Sequence, residues 1–237
     1  VTPRTKAIFV NTPHNPIGAV ASRETLEAIV KIAEKYNLFL ISDEAYEHVL
    51  YNGVEHVSLG SLPAARERTI SVYSMSKTYA MSGLRLGYLV VNDPLLLDRI
   101  KKLVRCTING VNSVTQYGAA AALTGPQDAT KSMALEYQKR RDILFDVLEE
   151  APYLRAFKPG GAFYLWAKIL PEWPGHDGKR DDWSMTNYLI DAAGIGSSPG
   201  SAFGPAGDGC IRFAFSCSTA QVEEAASLLP DILSKAG

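Results

Sequence analysis

The sequence predicts an α/β protein whose first part carries a mostly parallel sheet and whose last part forms a smaller α+β domain. Three short, mostly apolar runs at residues 7–10, 38–42 and 69–73 are rich in β-branched and aromatic residues. Such runs are typical of strands that are buried on both faces. A helical pattern at residues 22–36 separates the first two runs, so the sequence predicts a βαβ unit with parallel strands.

The first helix is predicted from the spacing of its apolar residues, which repeat at helical intervals. They are Leu26, Ile29, Val30, Ala33 and Tyr36. Ser22 precedes them where a helix takes an N-cap residue.

Four further elements complete the first part of the chain. Residues 86–91 form another apolar run and predict a strand, and Pro94 opens a predicted helix over residues 94–105. Residues 113–123 are predicted to be helical, and the sequence GPQD then interrupts the pattern. An amphipathic helix is predicted over residues 129–150, where it connects the two parts of the chain.

Beyond Pro152 the pattern changes to shorter elements. Strands are predicted at residues 162–169 and 210–216, and helices near residues 183–193 and 219–235. The polar stretch PEWPGHDGKRDDW between them is predicted to be a surface loop.

These elements predict three segments in the chain. Residues 1–128 belong to a large domain, residues 129–150 form the connecting helix, and residues 151–237 form the small C-terminal domain.

Composition excludes several classes of function. The chain has 237 residues, 46% of them hydrophobic, and a formal net charge of -1, which gives no reason to expect nucleic acid as a partner. No apolar run approaches the roughly 18 residues of a membrane span. The three cysteines form no CxxC pair and leave one over, which argues against a disulfide framework and favours a reducing cytoplasm. We therefore expect small molecules or proteins as partners.

Polar or ionisable residues directly follow each of the three predicted parallel strands. They are Asn11 to Asn15 after the first, Asp43 and Tyr46 after the second, and Ser74 to Lys77 after the third. In open α/β sheets the crevice beyond the carboxyl ends of the strands binds ligands. A single polar residue there usually serves only the turn, but three such groups together predict a site.

Asp43 follows the apolar run LFLIS, so an unpaired carboxylate there is costly. An ion pair at about 4 Å is worth roughly 4 kcal/mol at an effective dielectric constant near 20, enough to keep a weakly basic nitrogen protonated. A helix N-cap or an internal salt bridge is the structural alternative. Tyr46, three residues on, brings a phenol to the same side if a helical turn starts here.

Lys77 stands in SMSK among small hydroxyl residues, which suit a lysine that faces a pocket. A lysine that reacts with a carbonyl must lose its proton near neutral pH, and a nearby cation such as Arg85 lowers its pKa. Ser74 and Arg85 together match a phosphate. An exposed, solvated lysine is the alternative for Lys77 taken alone.

Arg212 lies in CIRFAFS, where alternation places it on the face opposite Ile211 and Phe213. Its planar guanidinium suits a carboxylate ligand, and a surface arginine on a half-exposed sheet is the alternative. The four histidines show no metal-ligand spacing, and neither a P-loop nor a GxSxG motif is present.

Five motifs in order resemble the class I/II aminotransferases of fold type I. They are NTPHNPIG, SDEAY, SMSKTYAMSGLRLGY, GGAFY and RFAFSCS, and the resemblance runs from Asn11 to the last helix. It implies part of the large domain of fold type I transferases that use pyridoxal 5'-phosphate, plus the small domain. Ile17 replaces the usual threonine of NPTG and leaves Asn15 intact.

The resemblance also implies the roles of the candidate residues. Lys77 holds pyridoxal 5'-phosphate and moves the proton, and Asp43 pairs with the ring nitrogen of the cofactor. Asn15 and Tyr46 bind its phenolic oxygen, while Ser74 and Arg85 bind the phosphate. Arg212 binds the α-carboxylate of the substrate, and Asn15 is also implied to bind the substrate.

The implied reaction is ping-pong transfer of an amino group between an L-amino acid and a 2-oxo acid, with aspartate and 2-oxoglutarate as the first expectation. Aromatic amino acids and alanine stay open as substrates. A lyase or synthase on the same scaffold is an alternative, as is an aminotransferase-like effector domain of a transcription regulator. We expect the complete protein to be a homodimer, and this chain to be a fragment that catalyses poorly by itself.

Overall fold

A computed structural model describes residues 1–236, and their strands form two separate four-stranded sheets. The chain divides into two units. Unit 1 contains Val1–Pro13 and Val20–Ser132, and unit 2 contains His14–Ala19 and the chain from Met133 onward. None of the described helices has both the length and the apolar character needed to cross a membrane.

The sheet of unit 1 has the predicted, mostly parallel arrangement. Its strands are β1 (Ala7–Asn11), β2 (Phe39–Asp43), β3 (Thr69–Ser74) and β4 (Gly87–Val91), in that spatial order. β1, β2 and β3 run parallel, and β4 pairs antiparallel with β3. The carboxyl ends of the three parallel strands therefore meet at one edge of the sheet.

Helix α1 (Arg23–Lys35) covers one face of this sheet. Ser22 caps it as predicted, because its side chain accepts a hydrogen bond from the Thr25 N–H at 3.2 Å. Leu26 and its helical neighbours pack with residues of β1 and β2 in one hydrophobic core.

The expectation that these strands are buried on both faces is wrong for the described chain. Phe9 on β1 is 63% exposed and Phe39 on β2 is 46% exposed. The reason is that α1 and the core around it cover only one side of β1 and β2.

Three more helices belong to unit 1 alone. They are α2 (Met75–Thr78), α3 (Pro94–Thr107) and α4 (Ser113–Thr124), and short 3-10 turns lie at Leu59–Ser61 and Ser82–Leu84. Pro94 occupies the first turn of α3 as predicted, and Asp93 caps that helix by accepting from the Leu96 N–H at 2.9 Å.

Helix α5 spans Asp128–Glu150, and the division between the units falls within it, after Ser132. The predicted segment boundaries at residues 128 and 150 stay a prediction.

The sheet of unit 2 is antiparallel, in the order β5-β6-β8-β7. Its strands are β5 (Leu154–Phe157), β6 (Tyr164–Ile169), β7 (Ser198–Pro199) and β8 (Cys210–Ala214). Only β6 and β8 were predicted, because β5 and β7 are short and their sequences lack a clear alternating pattern. Helices α6 (Asp182–Ala193) and α7 (Thr219–Ser234) complete the unit, with 3-10 turns at Gly200–Phe203 and Pro205–Gly207.

The loop before α6 contains a buried tryptophan, although its polar sequence predicts a surface loop. Trp173 within it is only 1% exposed, and its ring contacts Tyr153 and Tyr188. His176 and Lys179 form a short β-bridge. The prediction of a surface loop therefore fails for the tryptophan, whose large apolar ring is buried in unit 2.

Candidate functional site

The carboxyl edge of the sheet in unit 1 brings together residues that are far apart in sequence. Asn11 on β1 is paired in register with Asp43 on β2, and Asp43 with Val72 on β3. The Asn11 side chain donates to the Asp43 carbonyl at 3.1 Å, and the Thr12 N–H donates to the same carbonyl at 3.0 Å. The backbone at Asp43 is thereby fixed at the floor of this edge.

Asp43 is half-buried, and its carboxylate accepts a hydrogen bond from the Ala45 N–H at 3.3 Å. Burial raises the pKa of this carboxyl, the Ala45 N–H opposes the rise, and the negative charge of Glu44 adds to it. Within the described residues no cation compensates the charge, so the salt-bridge alternative is not realised. The carboxylate caps the turn that follows it, so the capping contact is present. Because its negative charge is half-buried and has no cationic partner among these residues, a cationic ligand would stabilise it.

Tyr46 lies in the turn that follows Asp43. The Glu47 N–H donates to the Glu44 carbonyl at 3.2 Å and the Val49 N–H to the Tyr46 carbonyl at 2.9 Å, so residues 45–48 form hydrogen-bonded turns and not the helical turn considered above. Tyr46 is 4% exposed, and the Lys77 Nζ lies 5.8 Å from the centroid of its ring. The structure thus brings the predicted lysine and tyrosine together at the same edge, at the outer range of a cation–π contact.

Ser74 ends β3 and caps the short helix α2, since its Oγ accepts from the Ser76 N–H at 3.2 Å. Lys77 lies in that helix and is half-buried.

Arg85 lies two residues before β4, whose first residue is paired with Ser74. Gly87 pairs with Ser74, and the Met75 N–H donates to the Leu86 carbonyl at 3.1 Å. Arg85 itself has a left-handed backbone with φ of 53° and is exposed, and its Nη1 donates to the Ser82 carbonyl at 2.9 Å. The backbone next to Arg85 thus lies beside the end of β3, while its guanidinium contacts the Ser82 carbonyl.

A buried polar network beside Asp43 was not predicted. Glu44 is fully buried and accepts hydrogen bonds from His56 at 2.8 Å, from Ser58 at 3.0 Å and from the Tyr73 hydroxyl at 3.3 Å. Burial acts to raise the pKa of Glu44, but hydrogen bonds led by the one from His56 outweigh it and lower the pKa.

This network joins the turn after Asp43 to the residue before Ser74. Sequence spacing could not reveal it, because Glu44, His56 and Tyr73 come from three segments that meet only in the folded sheet.

Arg212 belongs to unit 2, where four residues hold its guanidinium. Its Nη1 donates to the Asn15 Oδ1 at 2.9 Å, and its Nη2 donates to the Ser198 Oγ at 3.2 Å. The Arg212 Cζ lies 4.3 Å from the centroid of the Tyr164 ring and 4.6 Å from that of Phe203. Cation–π contacts with two rings therefore fix the orientation of the guanidinium.

The predicted alternation of β8 is confirmed, since Ile211 and Phe213 are buried while Ala214 is exposed. Sequence reasoning missed Ser198 and Phe203. Ser198 is the register partner of Arg212 on β7, a strand of two residues that leaves no pattern in the sequence.

Asn15 reaches Arg212 although 197 residues separate them. Its turn is closed by two hydrogen bonds, from the His14 N–H to the Ala19 carbonyl at 2.8 Å and from the Gly18 N–H to the His14 carbonyl at 2.7 Å. The turn, His14–Ala19, therefore belongs to unit 2 together with Arg212.

The donor set of unit 1 fits pyridoxal 5'-phosphate. That molecule offers a ring nitrogen that binds a proton, a phenolic oxygen, an aldehyde and a phosphate. Asp43 is a half-buried carboxylate that lacks a cation among the described residues, and Tyr46 and Lys77 lie close together. Ser74 and Arg85 supply a hydroxyl and a guanidinium at the end of the adjacent strand pair. Each functional group of the molecule thus has a chemical counterpart.

Comparison with known proteins identifies relatives along nearly the whole chain. Residues 1–229 match the family model described as aminotransferase class I and II. The chain is 37% identical over 238 residues to aromatic-amino-acid aminotransferase 2 of Thermococcus litoralis, covering 98% of this chain and 58% of that protein. It is 37% identical over 235 residues to an aspartate aminotransferase of Pyrococcus abyssi, again covering 98% and 58%.

A solved structure of Thermus thermophilus aspartate aminotransferase with maleate is also similar. It matches with a TM-score of 0.86 and 33% identity, over 98% of this chain and 58% of that one. The chain thus spans a little under three fifths of the length of these relatives.

Proposed function

Because the chain belongs to the class I and II aminotransferase family, we propose that the protein to which it belongs transfers an amino group between an L-amino acid and a 2-oxo acid. The observation that carries this proposal is the half-buried carboxylate of Asp43, which lacks a cation among the described residues, at the same sheet edge as Lys77 and Tyr46. Such a group is costly unless a cationic ligand binds it.

In this proposal the residues of unit 1 hold the cofactor, pyridoxal 5'-phosphate. Asp43 pairs with its ring nitrogen and keeps that nitrogen protonated. Tyr46 donates its hydroxyl to the phenolic oxygen. Ser74 and Arg85 bind the phosphate, because hydroxyl and guanidinium donors match phosphate oxygens.

Two residues of unit 2 act on the substrate. Arg212 binds the α-carboxylate, since the rings of Tyr164 and Phe203 hold its planar guanidinium in one orientation. Asn15, the partner of the Arg212 Nη1, helps to bind the same carboxylate and also donates to the phenolic oxygen of the cofactor.

Lys77 is the proposed proton carrier. The cofactor, when bound, supplies the carbonyl group that takes up the amino group and the ring that accepts the electrons left as the α-proton departs. The Lys77 amine removes that proton as a general base and returns it elsewhere on the bound molecule.

We propose aspartate and 2-oxoglutarate as the preferred pair. The support is the similarity to relatives named aspartate aminotransferase, and the name of the Thermococcus litoralis relative makes aromatic amino acids the principal rival.

We further propose a homodimer in the cytoplasm. Large apolar side chains on α3 and α4 are exposed in unit 1, among them Leu103 at 62%, Val114 at 76% and Tyr117 at 81%. Burial of such side chains favours association. The cytoplasmic setting rests on the cysteine pattern of the sequence. Light scattering of the full-length protein tests the dimer, and a monomeric mass contradicts it.

A covalent trapping experiment tests the role of Lys77. Borohydride reduction of the full-length protein loaded with pyridoxal 5'-phosphate should leave an adduct on the peptide that contains Lys77. The variant Lys77→Ala should give no adduct and no transamination. Lys102→Ala is the matched control, because that lysine is 72% exposed on α3 and pairs with Asp98. An adduct on another lysine, or full turnover by Lys77→Ala, refutes the proposal.

A panel of amino donors tests the reaction and its substrate. Aspartate, phenylalanine and alanine are compared by kcat/KM with 2-oxoglutarate as acceptor, and aspartate should rank first. A higher value for phenylalanine overturns the proposed pair but leaves the reaction intact. Release of ammonia without any 2-oxo acid identifies a lyase, and cofactor binding without turnover of any donor favours a regulatory domain.

A further inference from the structure

Arg141 is an arginine in α5 that is buried almost completely in unit 2. Its side chain is 1% exposed, although arginine is rarely buried without partners. Arg141 is not part of the Arg212 site described above, because it lies on α5 whereas Arg212 lies on β8. The contacts of Arg141 therefore indicate what it does.

The guanidinium of Arg141 holds the chain just after β5. Its Nη1 donates to the Pro159 carbonyl at 3.1 Å. Its Nε and Nη2 donate to one oxygen of Asp142 at 3.0 and 2.7 Å, and the Lys158 Nζ lies 3.2 Å from that same oxygen. Arg141 thus binds residue 159 directly and residue 158 through Asp142.

The segment that Arg141 holds is the one that holds the turn at 14–19. The N–H groups of Gly160 and Gly161 both donate to the Gly18 carbonyl at 3.0 Å. Gly18 has φ of 69°, and a Cβ atom added to it would overlap the Cβ of Pro159. The two segments therefore pack at a distance that leaves no space for a side chain at residue 18.

The same turn carries Asn15, which accepts the hydrogen bond from the Arg212 Nη1. A series of contacts leads from Arg141 to Pro159 and from Gly160 and Gly161 to Gly18, which lies in the same turn as Asn15. We expect a shift of the Pro159–Gly161 segment to move the turn, because Gly160 and Gly161 both donate hydrogen bonds to the Gly18 carbonyl in that turn.

We propose that Arg141 is a positioning residue, which fixes the Asn15 turn against Arg212 by holding the Pro159–Gly161 segment in place. The part of this proposal that concerns catalysis rests on the proposed function, in which Asn15 and Arg212 bind the substrate carboxylate. The structural part concerns only contacts within unit 2. The rival explanation is that Arg141 serves general stability alone.

Amide hydrogen exchange in the full-length protein tests the structural part without any reaction. The variant Arg141→Met removes the donors but keeps much of the volume, and exchange of the peptide that covers residues 14–19 should become about tenfold faster. Arg141→Lys, which keeps a single cationic nitrogen in place of the three guanidinium nitrogens, should give an intermediate rate. Gly18→Ala should reproduce the effect by a separate route, since its Cβ displaces Pro159.

Arg140→Met is the matched control on the same helix. Arg140 is 17% exposed and donates to the Thr219 Oγ1 at 2.9 Å and to the Cys217 carbonyl at 2.5 Å, so it holds the start of α7 instead. Its loss should speed exchange near α7 and leave residues 14–19 unchanged. Equal acceleration at residues 14–19 in Arg140→Met and Arg141→Met overturns the proposal.

Carboxylate binding tests the functional part. Maleate, a dicarboxylate probe, should bind Arg141→Met about tenfold more weakly than the unsubstituted protein by calorimetry, and KM for the amino acid should rise by a similar factor with kcat nearly unchanged. A fall in kcat alone, in proportion to folded protein, supports the stability explanation and refutes positioning. If the unsubstituted protein transfers no amino group, the proposed function fails, while the exchange result still decides the role of Arg141.

Discussion

Glu47 is a buried carboxylate whose protonation should set part of the pH dependence of stability in unit 1. It is 8% exposed, and within the described residues its Oε2 has no hydrogen-bond partner. Its pKa is raised to about 7, mainly by burial and in small part by the charge of Glu44, and the Glu47 N–H, Thr78 and His56 oppose this rise only in part.

The magnitude follows from the shift between the unfolded and the folded chain. A rise from 4.5 to about 7 corresponds to about 3 kcal/mol, since each pKa unit is worth about 1.4 kcal/mol. A raised pKa in the folded chain means that folding favours the protonated form of this carboxyl over its charged form. Its contribution is therefore fully present below pH 4.5 and is lost as pH rises through about 7.

The variant Glu47→Gln isolates this contribution, because glutamine keeps the shape and does not titrate. The difference in unfolding free energy between the unsubstituted protein and Glu47→Gln should change by about 2–3 kcal/mol between pH 5 and pH 8, with the unsubstituted protein relatively weaker at pH 8. Urea denaturation at a series of pH values measures it. Carbon NMR should also detect a glutamate carboxyl that titrates near pH 7 and is absent from the variant. A constant difference across this range, or the absence of such a titration, refutes the reasoning.

Three other predictions concern single substitutions in the full-length protein. Asp43→Ala should still form the adduct on Lys77 but lose about a thousandfold in turnover, because an ion pair worth roughly 4 kcal/mol is removed; near-normal turnover contradicts this role. Leu26→Ala should lower the unfolding free energy by about 3 kcal/mol, since Leu26 is fully buried against the sheet, and a loss below about 1 kcal/mol argues against that packing. Ser218→Ala should cost about 1 kcal/mol by removing the capping box of α7, measured against Ser227→Ala, whose exposed hydroxyl caps nothing.

Local rules predicted most of the elements and several of their ends. Ser22 caps α1 and Pro94 opens α3 as expected, because each acts through hydrogen bonds or torsion angles within one turn of its own position. The strands β5 and β7 were missed, since four and two residues are too few to establish a period. The exposure of Phe9 and Phe39 was also missed, because apolar residues in a strand do not reveal which face another element covers.

The sequence predicted one part of the candidate site, the residues at the strand ends, and missed another part, the buried network beside them. Asp43, Tyr46, Ser74 and Lys77 follow strands whose parallel order could be inferred, so their common edge could be inferred too. The network of Glu44 with His56 could not, because it depends on where the loop after β2 returns.

The amino-acid order gives this protein its reactive groups, namely an amine, a carboxylate, hydroxyls and guanidinium groups, and local propensity sets the strands and helices that carry them. Which of these groups come into contact depends on the folded structure. Asn15 contacts Arg212 across 197 residues, and Arg141 holds the segment that positions Asn15. Contacts of this kind follow from burial and from the hydrogen bonds that a buried guanidinium and a glycine carbonyl must satisfy in three dimensions, and no interval along the chain encodes them.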